Sequence, residues 1–284
     1  MWQQVEPLLH SRFSNLETRH TTARGDAEGF AAEFARSHPA GSLVVVGGDG
    51  SIHETVNGLL DAEHQGSLSI VPAGTGNDIA RNLGVSGDPL RAAGFDPDRI
   101  RQVDVGRVTF GSDQADHRWF LNSLSVGTSA RANRIAHSLG RAIRSPAKYP
   151  VAGVLALLSS GAHRYEILVD GQRQFQGNAI NLTVANGECF GGGLRISPGS
   201  SQDDGALDLV IIGDLARARA LRALRALRDG THVTMRDVQV LSAIAAPIEI
   251  HAPGRMPFET DGENLVSHDR VIVNLVPGRL KVAR

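Results

Sequence analysis

Twice in the first third of the chain, an apolar β-branched run stops at a cluster of glycines and gives way to a helical period. The run SLVVV (42–46) leads into Gly47-Gly48-Asp49-Gly50-Ser51, and LSIV (68–71) leads into Pro72-Ala73-Gly74-Thr75-Gly76-Asn77-Asp78. Fully apolar strands of this kind are buried on both faces of a parallel sheet. Upstream, Ala27, Phe30, Ala31, Phe34 and Ala35 follow amphipathic helical spacing with Asp26 as N-cap. Ile52, Val56, Leu59 and Leu60 mark one side of a second helix, and a third runs from Asn77 to about Leu83. The alternation predicts a doubly wound α/β domain over residues 1–102.

From about residue 103 the texture changes. Tyr165, Ile167 and Val169 alternate before Asp170-Gly171; Ile180, Leu182 and Val184 alternate before Asn186-Gly187; Val271, Val273 and Leu275 alternate near the end. This predicts a mainly antiparallel β domain over 103–284, interrupted by helices near 129–160 and 214–229, with a return of the C-terminus to the first domain left open. The 29 Lys and Arg against 30 Asp and Glu leave a net charge of −1, which speaks against a dedicated nucleic-acid binder. Cys189 is the single cysteine, so neither an internal disulfide nor a cysteine zinc cluster is expected. The longest apolar stretch, VAGVLALL (151–158), is far shorter than the roughly 20 residues that cross a bilayer. The first residues show no secretory signal.

Both glycine turns stand where an open parallel sheet binds ligands, at the carboxyl ends of its strands. Each carries a capping signature, Ser51 with Glu54 and Thr75 with Asp78. Glycines there let the backbone approach a ligand, and the unpaired amides favour an anion. Such turns also arise for steric reasons alone, and neither G-x-G-x-x-G nor G-x-x-x-x-G-K-[ST] is present. Downstream, Phe258-Glu259-Thr260-Asp261-Gly262-Glu263 reads first as a hairpin around Asp261-Gly262. Its other reading makes Glu263 a proton acceptor facing the cleft. Gln202-Asp203-Asp204-Gly205 is a solvated turn or a hard-cation site. The histidines lack metal-ligand spacing, His53 staying open because it lies in the first turn, and no G-x-S-x-G supports hydrolase chemistry.

Taken in order, VVVGGDGSIHETVNGLL (44–60), LSIVPAGTGNDIARNLG (68–84), QVDVGRV (102–108), RWFLNSLSVG (118–127), ANGECFGGGLRISPGSSQDDGALDLVII (185–212) and TDGEN (260–264) resemble the catalytic domain of the diacylglycerol kinase family. That family includes bacterial lipid kinases and the sphingosine and ceramide kinases. The resemblance spans nearly the whole chain. It implies a nucleotide-binding α/β domain, a C-terminal β-sandwich, and ATP with Mg²⁺ in the cleft between them.

Carried over by position, Gly47, Gly48, Asp49, Gly50, Ser51, Ile52 and His53 would form the phosphate loop, with Thr75 and Thr21 as further ATP contacts. Glu263 would accept the proton, and Asp49, Asp78 and Asp104 would line the cleft. Ser201, Asp204 and Ala206 would hold a structural Mg²⁺. The expected reaction is phosphorylation of a hydroxyl of diacylglycerol or a related lipid, by a cytoplasmic protein that touches the inner membrane face. The sequence gives no reading of oligomeric state. For membrane contact, the Arg-rich segment 215–230 is a candidate, although its arginines and leucines do not separate cleanly around a helix.

Members of the family begin with a strand ending in N-P-x-S-G. Here residue 1 already lies in the following helix, with Trp2, Val5, Leu8 and Leu9 on its apolar side. A late start assignment is the favoured explanation, and loss of part of the ATP site is the other. Two alternatives therefore stand beside the lipid kinase: an NAD kinase, which shares the G-G-D-G turn, and a catalytically silent lipid-binding protein.

Overall fold

The computed structural model describes residues 1–111, 116–139, 148–159, 161–266 and 268–284. The first hundred residues form α1 (Trp2–Arg12), α2 (Asp26–Ser37), β1 (Ser42–Gly47), α3 (Asp49–Asp61), β2 (Ser67–Pro72), α4 (Asp78–Asn82) and α5 (Pro89–Ala92). β1 and β2 run parallel, from Ser42 opposite Ser67 to Gly47 opposite Pro72. Both glycine turns therefore leave the sheet at the same end. On one face, Ala31 and Ala35 of α2 and Ile52, Val56, Leu59 and Leu60 of α3 pack over Val45, Leu68 and Ile70. On the other, Val5 and Leu9 of α1 pack with Val71, beside Val44 and Val46. Helices on both faces explain why the strands are largely apolar on both sides.

The rest of the chain forms β3 (Ile100–Phe110), β4 (Asp116–Phe120), β5 (Ser123–Gly127), α6 (Thr128–Leu139), α7 (Lys148–Ser159), β6 (His163–Val169), β7 (Gln172–Ala185), β8 (Cys189–Phe190), β9 (Leu194–Arg195), β10 (Leu207–Gly213), α8 (Arg217–Ala226), β11 (Val238–Ile244), β12 (Ile248–Met256), β13 (Phe258–Thr260), β14 (Glu263–Asn264) and β15 (His268–Ala283). Its core gathers Phe120, Leu124, Tyr165, Leu182, Leu209, Phe258 and Val273, among others. β15 pairs antiparallel with β12 and β3, then runs parallel beside β2 through Lys281–Ala283. β3 likewise spans both cores, with Val108 in the second and Val103 and Val105 in the first. Fold class is thus mixed α/β, a helix-covered parallel part joined to a β-sandwich through two long strands. Of the helical expectation over 129–160, residues 140–147 and 160 lie outside the described residues.

Two local expectations need correction. Asp26 is the first helical residue of α2 and not its cap: Gly25, at φ +89°, takes that place, and the Asp26 carboxylate accepts the Thr22 and Ala23 N–H groups at 2.6 and 2.8 Å. α3 begins two residues before the Ser51 cap, and Glu54 accepts the Gly25 N–H instead of closing a capping box. In α8 most arginines separate from the alanines, while Leu221 and Leu224 stay half-buried. Ala220, Ala223 and the following Leu227 are buried, whereas Arg217, Arg222, Arg225 and Arg228 are exposed. No helix among the described residues is long and apolar enough to cross a membrane.

The close approach of α2 to α3 rests on Gly58, where a Cβ would lie 2.2 Å from the Glu28 carbonyl oxygen. Overpacking against backbone costs about 1–3 kcal/mol, more than the roughly 1 kcal/mol that alanine gains over glycine in a helix. Gly58→Ala is therefore expected to lower stability in urea unfolding. An unchanged or raised midpoint would contradict this contact.

Candidate functional site

Gly48 caps α3 with no side chain, so the first amides of the helix face outward. The first helical bond runs from the Ile52 N–H to the Gly48 carbonyl at 3.1 Å, and the N–H groups of Asp49, Gly50 and Ser51 find no acceptor among the described residues. A helix start of this kind favours an anion through its unpaired amides and its dipole. The second turn lies against the first: a Cβ on Gly74 would sit 2.6 Å from Gly48 Cα. Asn77, at φ +54°, holds that turn by accepting the Gly74 N–H and donating to the Gly74 carbonyl. Asp49 Oδ1 accepts the Ile79 N–H at 2.9 Å, tying the two helix starts together. Burial raises the Asp49 carboxyl pKa against that bond, and nearby Asp78 and Asp261 raise it further.

The opposite wall is the β13–β14 hairpin. Asp261 at φ +49° and Gly262 at φ +88° are the left-handed pair that a tight two-residue hairpin requires. The Asp261 side chain is 1% exposed. One oxygen accepts the N–H groups of Asn122 and Ser123 at 2.8 and 3.1 Å; the other accepts the Leu121 N–H at 2.8 Å and meets His53 Nδ1 at 3.2 Å. The next residue but one, Glu263, pairs with Arg24 at 2.7 Å, and a Cβ on Gly50 would lie 3.2 Å from its Oε1. Glu263 therefore stands directly over the first glycine turn.

Two more side chains grip the turn between them. Asn133 of α6 donates to the Gly262 carbonyl, and Glu259 accepts the Gly262 N–H at 2.6 Å. Glu259 is fully buried, and burial pushes its carboxyl up to about 8; the Gly262 bond opposes this, and Asp261 adds to it. Behind it Ser125 bonds Thr183, which accepts from Asn181.

One cavity of about 290 Å³ joins these parts. At one end it is lined by Gly48, Gly50, Gly74, Thr75, Asp49 and Glu263. The other end runs between α7, α8 and the sandwich, past Leu157, Ile180, Phe190, Ile212, Leu224 and Leu227. A polar mouth full of amides and carboxylates thus opens into an apolar bore.

Of the residues singled out in the sequence, Gly48, Asp49, Gly50, Thr75, Asp78 and Glu263 line this cavity. Asp78 accepts the Gly192 N–H at 2.6 Å and pairs with Arg81. Gly47 and Ser51 stand behind the first turn, in contact with each other. Ile52 is buried in the core with its amide already used, and His53 is buried against Asp261 and Asn57. Neither side chain lines the cavity. Thr21 is exposed on the loop before α2.

Asp104 stands apart from them. Its oxygens accept the Gly205 and Gly278 N–H groups at 2.8 and 2.7 Å, so it fastens a turn to strand β15, and it is not among the residues that line this cavity. The turn it fastens carries Ser201, Asp204 and Ala206, where Asp204 is exposed and accepts the Ala206 N–H. No cluster of three or more His, Cys, Asp or Glu able to hold a metal occurs among the described residues. The sequence reading missed Asp261 and Glu259 as site residues. Glu259 lies in the three-residue strand Phe-Glu-Thr, whose complete burial the sequence does not disclose.

Residues 1–108 match the family description of the diacylglycerol kinase catalytic domain, and residues 122–284 match the YegS C-terminal NAD kinase beta sandwich-like domain. A diacylglycerol kinase of Bacillus subtilis (strain 168) is 29% identical over 248 residues, 87% of this chain and 78% of that protein. The crystal structure of a diacylglycerol kinase from Bacillus anthracis str. Sterne superposes with a TM-score of 0.72 at 25% identity, covering 99% of this chain and 89% of the other. An NAD kinase from Archaeoglobus fulgidus, solved in complex with ATP, shares the fold at a TM-score of 0.56 and 13% identity, over 99% and 88% of the two chains. With the second of these descriptions covering more than half its length, the chain belongs to the family of the YegS C-terminal NAD kinase beta sandwich-like domain, joined to an N-terminal part that matches the diacylglycerol kinase catalytic domain.

Proposed function

We propose that the protein transfers the γ-phosphoryl group of ATP to a hydroxyl of diacylglycerol or a related lipid. The observation that carries this reading is one continuous cavity, lined at one end by the glycine turns and Glu263 and apolar at the other. A nucleotide alone would leave the leucine-lined bore without an occupant, whereas an acyl chain fills it and brings a hydroxyl to the polar mouth.

Phosphoryl transfer through a loose transition state asks the protein for positioning and charge neutralisation more than for covalent chemistry. The amides of Asp49, Gly50 and Ser51 would hold the terminal phosphate. Glu263 would take the hydroxyl proton as the oxygen–phosphorus bond forms and the bond to ADP breaks. Mg²⁺ would neutralise charge on the phosphate oxygens, with Asp49 and Asp78 the carboxylates nearest the two turns. Asp204, with carbonyls of Ser201 and Ala206, matches the sparse donor set of a hydrated Mg²⁺ that would brace the turn. Contact with a membrane surface follows from the substrate, and the exposed arginines of α8 suit it.

Incubation with γ-labelled ATP, a panel of diacylglycerol, ceramide and phosphatidylglycerol in mixed micelles, and NAD as control tests this directly. Label is expected in a lipid, and Glu263→Gln is expected to fold normally while cutting kcat by about 10² or more, the usual scale for losing a general base. Label on NAD alone, or full turnover in the variant, would overturn the reading.

Glu259 makes a separate, pH-dependent prediction. Its carboxyl keeps a proton in the folded chain to about 8 but loses it near its ordinary 4.5 when unfolded. The native state then binds the extra proton between those values, so this group costs stability as pH rises through that window. Glu259→Gln keeps the neutral acid's hydrogen bonds and removes the ionisation. Between pH 5 and pH 8 the wild type is expected to lose more thermal stability than the variant; parallel curves would contradict a buried, neutral Glu259.

A further inference from the structure

Across Thr128 from the catalytic cavity lies a second one, of about 280 Å³, which Thr128 also lines. Its walls come from the start of α6, the start of β6 and the irregular part of β12, where pairing with β15 jumps from His251–Arg270 to Met256–His268. That jump leaves residues 252–255 off the ladder, and Arg255 projects from them beside Pro253-Gly254. Arg131, Arg134, Arg164, Arg255 and His163 surround the cavity, and no Asp or Glu among the described residues lines it.

The carboxylates of β6 and β12 themselves are engaged elsewhere. Glu166 of β6 pairs with Arg173, and Glu249 of β12 pairs with Arg270 and His251. The four guanidiniums around the cavity have no carboxylate partner among the described residues. Tyr165 lines the cavity from the core, and burial pushes its hydroxyl up to about 12, so it stays a neutral donor.

Four like charges around one space repel each other until an anion joins them. Guanidinium presents its donors as a planar fork that matches phosphate oxygens. The volume is at the low end of the roughly 300–1,000 Å³ typical of small-molecule sites, which suits a headgroup-sized anion better than a nucleotide. We propose that this cavity is a second, non-catalytic site that binds a phosphate group, on a phospholipid headgroup or on a free phosphomonoester. α6 connects the two sites: Ala132 and Asn133 line the catalytic cavity, while Arg131 and Arg134 line this one.

The test compares two double variants of equal charge change in the full chain, Arg164→Ser/Arg255→Ser in the cavity and Arg36→Ser/Arg91→Ser at exposed positions of α2 and α5 that line neither cavity. Both are first checked for wild-type unfolding midpoints. Sedimentation with phosphatidylcholine vesicles containing phosphatidylglycerol reads the headgroup; calorimetric titration with glycerol 3-phosphate reads the free phosphomonoester. Any phosphate bound at the glycine turns is common to all three proteins and cancels in the comparison. The cavity variant is expected to lose about tenfold or more in affinity for at least one probe, against less than about threefold for the control variant. Loss with vesicles alone assigns a lipid headgroup, and loss with glycerol 3-phosphate assigns a free phosphate. Equal weakening of the two variants, or no weakening in the cavity variant with either probe, would overturn the proposal.

Discussion

A buried carboxylate, that of Asp261, fixes the geometry on which the site depends. It accepts three consecutive backbone amides, Leu121 to Ser123, and meets the ring of His53 on α3. α3 is the helix whose first turn carries the unpaired amides, so the same side chain locates the hairpin relative to the anion site. Leaving a carboxylate buried without partners is costly, and four partners fix it in one place. Glu263, two residues on, is thereby held over Gly50.

The two halves are also joined through the sheet. β15 begins in the sandwich and ends parallel to β2, with β3 beside it along most of its length. Where β15 loses register with β3, between Val276 and Leu280, Asp104 accepts the Gly278 N–H and with its other oxygen that of Gly205. A carboxylate that resembles a cleft acid by position therefore serves as a fastener between strands and turn.

The apolar strands, the glycine turns and the Asp-Gly hairpin were legible in the sequence because each is decided by neighbours in the chain. Period and turn chemistry placed β1, α3, β2 and the β13–β14 turn close to where they stand. The remaining parts are decided across the fold. The bond from Asp261 to His53 spans 208 positions, and no local pattern announces it. Ser51 has the residue type of a cap, yet the preceding glycines let the helix start at Asp49, and Glu54 is drawn to Gly25 on another loop. The two faces of α8 emerged because Ala220, Ala223 and Leu227 had a sheet to cover, which the alternation of Arg and Leu alone does not disclose.

The most direct measurement is a crystal structure of the protein with a non-hydrolysable ATP analogue and a short-chain diacylglycerol. The terminal phosphate is expected within hydrogen-bonding distance of the Asp49 and Gly50 amides, the acyl chains between α7 and α8, and Glu263 turned from Arg24 to the lipid hydroxyl. A triphosphate bound away from both glycine turns, or a lipid lying outside the bore with Glu263 still paired to Arg24, would contradict it.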